Sequence, residues 1–507
     1  MTSINSDFMS QLALRSLGNS SNMMTQAMER LSTGKRVNSA ADDAAGLGIA
    51  TKLKAQVNSL NAATRNATDA LALIGTIDGA LEESSEILLR LRELAVQSSS
   101  DTNTGTDRSF IQDEVNALNN ELNRISSSTE FNGVKLLDGT YNNKSIQIGT
   151  GANQVFNIGV TATDSTTLGA YELESLSEHL GTTVASSGAA IAAATALINV
   201  GANYTVAGSF GSTTVNVAAG DDAKTVAQSF NLAAGTTGIN ASAVTKAQLT
   251  AVAAETWSFT LQGKSSTAST VNATVTNASN LTALKDAINS VSGSTGITAS
   301  LTEDLAGINL VQQDGYDIVF ADALGSGSGS MSIRAANKNG EVGTASGLSG
   351  NAAAVAFGAT TTLDSQAVIG QVSLSSHKAF TVTSGNAANH FATDTTAQAS
   401  ALQTMGAVDI SSQTGASNAL SVIDGAIAMI SEVRSEMGAA ENRLTSTVDN
   451  LSNVSVNTQR SLTSVEDANF ASETSALTKA QILQQAATSM LAQANKAKQT
   501  MLVLLQG

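Results

Sequence analysis

Residues 63–95 read "ATRNATDALALIGTIDGALEESSEILLRLRELA". Apolar side chains fall at Ala63, Ala67, Ala70, Ile74, Ile77, Leu81, Leu88, Leu91 and Ala95, and Ser84 fills the one remaining slot. The spacing alternates between four and three residues throughout. That is a coiled-coil seam, in which a narrow stripe stays against a partner helix. Its small Ala positions allow that partner to approach closely.

Other helices follow on either side. "DRSFIQDEVNALNNELNRI", 107–125, puts Ile111, Val115, Leu118, Leu122 and Ile125 on one face, and the next segment, "FNGVKLLDG", contains Asn132-Gly133, a strong hairpin signal. A second seam runs through Ile423, Ile427, Ile430, Val433, Met437, Ala440, Leu444, Val448 and Leu451. The last segment carries Leu477, Ala480, Leu483, Ala487, Met490, Ala494, Ala497, Met501 and Leu504, and the first forty residues a weaker stripe of Ile4, Phe8, Leu12, Leu17, Met24, Met28 and Leu31. Such narrow, Ala-rich stripes bury too little surface alone to offset ordering entropy. Both ends are expected to be disordered in the monomer and helical when partners cover them.

Composition narrows the function. The net charge of −16 is wrong for a nucleic-acid surface. With no Cys there are no disulfides, thiolate metal sites or Cys nucleophile. Average usage predicts roughly 25 prolines in such a chain, yet there are none. Proline breaks helix interiors, so its absence permits very long helices. The start, "MTSINSDFMSQLALRSL", lacks a basic n-region and a clean apolar h-region. No apolar run approaches the length of a membrane span. The protein is expected to stay inside, or to leave by a route that reads no cleaved signal.

Residues 161–405 change character. Charges become sparse, and alternating stretches such as "SFGSTTVNVAAG" and "ETWSFTLQG" read as strands. "FNLAAGTTGINAS" at 230–242 aligns with "INSVSGSTGITAS" at 288–300, an offset of 58. Each copy reads as one small α+β unit. The predicted fold class is α+β: long terminal α-helices forming coiled-coil and helical-bundle core domains, with a β-rich inserted region displayed between them.

Sites for chemistry are scarce. Gly34-Lys35 lacks the rest of a phosphate loop, because Glu29 replaces the first Gly and Arg36 the Ser/Thr. Gly34 is expected to end one helix, and Asn38 or Ser39 to cap the next, with Asp42 and Asp43 in its first turn. His179, His377 and His390 are isolated, Asp221, Asp222 and Asp467 read as turn or cap residues, and no nucleophile elbow occurs. No catalytic, cofactor or metal residue is assigned. In "LLRLRELAVQSSSD", 88–101, Leu94 lies one turn after Arg90. Arg90, Leu94 and Glu114 make either the solvated face of a bundle helix or a recognition surface.

The two ends resemble bacterial flagellin. The motifs are "LSTGKRVNSAADDAAGLGIA" (31–50), "LRELAVQ", "IQDEVNALNNELNRI" and "EFNGVKLLDG", then "GAAENRLTSTVDNLSN" and "LTKAQILQQAATSMLAQAN". They cover 1–145 and 407–507, and the repeated "TGI" units resemble an insertion repeat of many flagellin middles. The resemblance implies five segments: an N-terminal core helix at 1–43, half of a helical bundle with a β-hairpin at 44–160, a variable outer region at 161–405, the other half of the bundle at 406–459, and a C-terminal core helix at 460–507.

It also implies a structural subunit, not an enzyme, which self-assembles into the extracellular flagellar filament for swimming. Export would be unfolded, through the flagellar secretion apparatus, with a chaperone on the C-terminal segment. The partners implied are other flagellin subunits and the hook-associated and cap proteins, without cofactor, nucleic acid or membrane insertion. Leu477, Leu483, Met490, Ala494, Met501 and Leu504 become the candidate assembly core. Arg90, Leu94 and Glu114 match positions through which many flagellins are seen by the vertebrate innate immune receptor TLR5. Leu89 stands where Gln is usual and Ala497 where Pro is usual, and the zinc-protease motif of some flagellin middles is missing. Two rivals are a hook–filament junction protein and an adhesin or glycan-binding protein acting through the middle region.

Overall fold

The computed structural model describes residues 8–175, 182–185, 202–265, 267–302, 304–325, 331–340, 342, 355–357, 365–385, 391 and 396–506. His179 and His390, and Ile4 of the first stripe, lie outside them. The chain opens with three helices, α1 (Phe8–Thr33), α2 (Ala44–Ser98) and α3 (Gly105–Ser128). Two hairpins follow: β1 (Glu130–Phe131) with β2 (Val134–Lys135), and β3 (Lys144–Gln147) with β4 (Val155–Ile158). The middle runs β5 (Gly169–Glu174), β6 (Thr182–Ala185), β7 (Ala202–Ala207), β8 (Ser212–Val217), α4 (Ala223–Leu232), α5 (Ala234–Thr237), β9 (Asn240–Thr250), β10 (Thr256–Gln262), β11 (Ser269–Thr274), α6 (Thr282–Ser290), α7 (Ser292–Thr295) and β12 (Ile297–Leu301). It continues through β13 (Ile308–Gln312), β14 (Ile318–Gly325), β15 (Met331–Ala336), β16 (Val355–Phe357), β17 (Ser365–Val368), β18 (Gln371–Ser376), β19 (Thr381–Ser384), β20 (Ala397–Ala399) and β21 (Ala401–Thr404). Helices α8 (Gln413–Glu466) and α9 (Phe470–Gln506) close the chain.

The proline-free sequence lets α2 and α8 run 55 and 54 residues without a break. Every seam residue of 63–95 is buried, Ser84 included. Its hydroxyl donates to Ala80 O one turn back, at 2.9 Å, so it costs the seam no unpaired polar group. On α8, Ile423, Ile430, Met437 and Leu444 are buried at heptad spacing, and the other seam residues are half-buried.

Helix ends follow local chemistry. Gly34, at φ +70°, ends α1 in the left-handed conformation that favours glycine. The cap of α2 differs from expectation. Asp43 holds it, accepting the Gly46 N–H at 2.8 Å. Asn38 and Ser39 stand too far upstream of Ala44 to reach a first-turn amide. They form a turn closed by Asp42, whose Oδ2 accepts from Ser39 N at 2.9 Å and Ser39 Oγ at 3.0 Å. Those bonds hold the Asp42 carboxyl below its ordinary pKa. Thr104 and Asp107 form a capping box on α3. Asn132 and Gly133, at φ 52° and 76°, make the expected hairpin turn between β1 and β2.

Two compact units result. One comprises Met1–Gly75, Asn143–Gly159 and Gly438–Gly507, the other Thr76–Asn142 and Val160–Met437. In the first, α2 and α8 meet through Ser455 Oγ and Asn61 Oδ1, 3.0 Å apart. The β3–β4 hairpin is fixed to the helices by Asn66 Nδ2, 2.9 Å from Gln147 O, and by Arg443 over the Phe156 ring at 4.8 Å. Helix α8 runs through residues 459 and 460 unbroken and ends at Glu466.

In the second unit α2 and α8 are antiparallel, as Arg434–Asp78 at 2.9 Å and Arg92–Asp424 at 2.7 Å show. The segment before α8 is stitched down by Ser98 Oγ to Ile410 O at 2.6 Å and by Gln112 Oε1, which accepts the Ile410 N–H at 2.7 Å. The middle forms sheets of four strands (β20-β19-β7-β8), five (β11-β10-β14-β17-β6) and eight, the last along β12-β13-β9-β18-β5-β21 with β15 on β9 and β16 on β15. One core gathers Trp257, Phe259 and Phe320, and a second packs Tyr204, Phe230 and Phe391 with every pair of rings 5.6 Å apart.

The repeat is real at the level of atoms. Each copy is two strands, a helix, a short helical turn and a strand: β7-β8-α4-α5-β9 and β10-β11-α6-α7-β12. In the first, Asn231 Nδ2 donates to Ala241 O at 2.8 Å and its Oδ1 accepts from Ala241 N at 2.7 Å. In the second, Asn289 bonds Ala299 in the same way, at 2.9 and 2.8 Å. Thr237 and Thr295 are buried, and each bonds the carbonyl four residues back at 3.0 Å.

Candidate assembly surface at the joined chain ends

Helices α1 and α9 pair antiparallel. On α1 the covered positions are Ser10, Ala13, Leu17, Ser20, Met24, Ala27 and Leu31, and on α9 they are Leu477, Ala480, Gln484, Ala487, Leu491 and Ala494. Both sets recur at three and four residues, and small side chains occupy their most buried points. Ser and Ala at those points let the two helices lie close, while Leu17, Met24, Leu31, Leu477 and Leu491 along the same seam are only half-buried.

Around the turn beneath this pair, the chain ends are fastened by the stretch that resembles a phosphate loop. Gly34 O accepts Ala468 N–H at 2.9 Å, and Arg36 N donates to Glu466 O at 2.7 Å. The Arg36 guanidinium reaches Val465 O at 2.8 Å, the Lys35 ammonium pairs with the Glu466 carboxylate, and Arg30 meets Glu473 at 3.2 Å. Lys35 and Asp467 also pair as a two-residue β-bridge. The Arg36 amide and the Lys35 ammonium are thus committed within the chain.

The six candidate core residues divide. Leu477 and Ala494 lie on the covered face, whereas Leu483 is 38% exposed and Met490 59% exposed. The expected single stripe joined two faces, because α9 is apolar on more than one side and α1 covers Gln484 and Leu491 instead. Met501 and Leu504 sit on the last turns of α9, with side chains outside those described. On α1, Leu17, Met24 and Leu31 are covered, and Phe8, Leu12 and Met28 are exposed. Exposed Phe470 and Ile482 join Leu483 along a shallow groove on α9.

The other candidate group also divides. Arg90 Nε and NH2 donate to Glu114 Oε1 at 2.9 and 2.8 Å, and NH1 donates to Glu93 at 2.6 Å. These bonds, Glu114 first, raise the Arg90 pKa above its ordinary value. Arg90 and Glu114 are at the surface, but Leu94 is only 1% exposed and belongs to the core. Leu89 is exposed on the same helix.

His377 stands 3.7 Å from the Glu432 carboxylate and beside the Phe210 ring. Asp221 accepts Ala218 N in a turn and Asp222 caps α4. Among the described residues no group of three or more His, Asp or Glu is placed to hold a metal ion, and no helix is long and apolar enough to cross a membrane. Sequence reading missed the Arg30–Glu473 and Arg36–Val465 joints, which link distant positions without a local pattern. It also missed Lys338, whose ammonium lies 2.7 Å from Glu172 and 2.6 Å from Glu174. The available signal was three charges in a charge-poor region.

A chain whose two ends fold back on each other as proline-free helices, and whose middle is a β-rich insert, defines a class: a structural subunit held by its termini. Residues 4–142 match the family model for the bacterial flagellin N-terminal helical region, 420–505 that for the C-terminal helical region, and 258–314 the flagellin hook IN motif. The chain is 36% identical over 506 residues to the B-type flagellin of Pseudomonas aeruginosa, with 99% of both chains covered. It is 33% identical over 497 residues to a flagellin of Clostridium tyrobutyricum, with 98% of this chain and 100% of that one covered. Among solved structures, FliC from Burkholderia pseudomallei is similar at 18% identity and a TM-score of 0.29, over 74% of this chain and 99% of that chain. The chain belongs to the bacterial flagellin family. It is a structural subunit of the extracellular flagellar filament, a polymer with other flagellin subunits, and not an enzyme.

Proposed function

We propose that this flagellin polymerises by covering the apolar rows that the α1–α9 pair leaves open. The observation that carries this is the exposure of Phe8, Leu12, Phe470, Ile482, Leu483 and Met490 on two helices already joined to each other. The large apolar side chains of their mutual seam, Leu17, Met24, Leu31, Leu477 and Leu491, are themselves only half-buried. Neighbouring copies would supply the missing burial, so the termini order on incorporation. The middle region is then a passenger of assembly. The same open rows suit an export chaperone on 470–506 that keeps the chain unfolded on its way out. Hook-associated and cap proteins would meet the same helices at the two ends of the filament. Seeded polymerisation tests this: monomer added to filament fragments should elongate them, and a chain lacking 470–507 should not. Equal elongation by both chains contradicts the reading.

A second reading concerns recognition by TLR5. The surface Arg90–Glu114 pair favours it, with Leu94 supporting α2 from beneath rather than touching the receptor. Arg90→Ala should lower receptor signalling by monomer while helix melting is unchanged. Leu94→Ala should lower the melting temperature, since emptying a buried Leu site costs about 2–5 kcal/mol. Full signalling by Arg90→Ala removes this reading.

A further inference from the structure

The chain crosses repeatedly between the eight-stranded and five-stranded sheets of the middle region, and Asp317 lies where two of those crossings meet. Residues 313–317 lead from β13 in the larger sheet to β14 in the smaller, and residues 369–370 lead back from β17 to β18. The Gly370 N–H donates to the Asp317 carboxyl, so one side chain ties both crossings. Its Oδ1 is buried and has no hydrogen-bond partner among the described residues.

The surroundings are tight. A Cβ on Gly370 would stand 2.4 Å from Thr245 Oγ1 and 2.8 Å from Ala223 Cβ, and one on Gly315 would stand 2.5 Å from Ala243 Cβ. Helix α4 and strand β9 therefore close over the joint. Thr245 Oγ1 donates to Tyr316 O at 2.7 Å, and Lys224 N to Gly315 O at 3.1 Å.

Among the described residues, the charged groups around the joint offer Asp317 no counter-ion. Asp222, from α4, accepts the Thr225 N–H as its cap and repels a second negative charge. Lys224, also on α4, donates to the Tyr316 hydroxyl at 2.6 Å. Asp314, on the same crossing, lies 3.9 Å from Lys264. Lys246, on β9, donates to Lys338 O at 2.6 Å. Burial first, then Asp222, push the Asp317 carboxyl up to about 7, against the downward pull of the Gly370 N–H.

We propose that Asp317 is a proton-dependent clasp: neutral, it holds the two crossings together, and ionised, it loosens the joint between the sheets. The sign follows from linkage. In the unfolded chain this group ionises near 3.8. Between that value and about 7 the folded chain keeps a proton that the unfolded chain has lost. Stability therefore falls as pH rises through the window and levels off above it.

Trp257, the only Trp, is buried on β10 of the five-stranded sheet and reports on this joint. Urea unfolding of the full chain, followed by its fluorescence across the window, is the test. The unfolding constant should rise by up to about tenfold per pH unit and then flatten. Asp317→Asn should remove that rise, and the difference between the two proteins cancels the titration of histidines. Asp222→Asn, which keeps a good cap, should move the bend to lower pH and serves if Asp317→Asn does not fold. An unchanged slope in Asp317→Asn, or an unmoved bend in Asp222→Asn, overturns the proposal.

Discussion

Arg30 and Glu473 are 443 residues apart in sequence, and their side chains meet at 3.2 Å. Together with Arg36 and Glu466 they close the chain on itself at the base of α1 and α9. Everything between is, in covalent terms, one insertion carried by two long helices that leave and return.

The paired ends are tied at their base by backbone bonds and ion pairs, and on the reading proposed above their seam needs neighbouring copies to hold. Amides of 8–33 and 470–506 should therefore exchange with solvent rapidly in the monomer, apart from those near Gly34 and Ala468, and slowly in the filament. Hydrogen exchange read by mass spectrometry on both forms checks this. Equal protection in the two forms would show that the pair is stable without neighbours.

Two glycines of α8 should respond in opposite directions to the same change. A Cβ on Gly425 would stand 2.6 Å from Ala170 Cβ and 2.7 Å from Gly169 O, where β5 passes against the helix. Ala there gains about 1 kcal/mol of helix propensity but forces a backbone apart, at about 1–3 kcal/mol. Gly425→Ala should lower the thermal midpoint. Gly438 has open space, so Gly438→Ala should raise it. Circular dichroism melts of both variants settle the signs.

Lys338 holds the carboxylates of Glu172 and Glu174 beneath the start of α8. Burial alone would lower its pKa, but the two carboxylates more than reverse this, and it lies above the ordinary lysine value. The stability it contributes is present at neutral pH and is lost as pH rises past that ordinary value. Lys338→Met leaves Glu172 buried without its counter-ion, only the Ser421 hydroxyl still donating to it at 2.6 Å, and should destabilise the middle region by about 3–5 kcal/mol. Adding Glu172→Gln should restore much of the loss. Urea midpoints from Trp257 fluorescence give the comparison, and an unchanged midpoint in Lys338→Met would contradict this role.

The seams, the hairpin at Asn132-Gly133 and the 58-residue repeat were legible because each rests on a local pattern: a period, a turn dipeptide, or a copied segment. The cap of α2 was misplaced because two Asp and two turn residues compete within six positions, and only the start of the helix decides among them. The face of α9 was harder. A helix rich in Leu, Met and Ala has several apolar rows, and which row is covered depends on α1, hundreds of residues away. For the same reason Leu94 could not be told from a surface residue by its distance from Arg90. The joints at Arg36, Lys338 and Asp317 are long-range meetings of single residues, which no window of sequence contains.

The central claim is that the apolar row left open on α9 drives filament growth. The most direct measurement is the elongation rate of seeded filaments, by electron microscopy, for the natural chain and for Leu483→Ser with Met490→Ser. Both side chains are exposed in the single chain, so the double variant should keep the natural melting behaviour. The account predicts that the variant stops elongating the seeds. Growth at the natural rate would place the driving contacts elsewhere and contradict it.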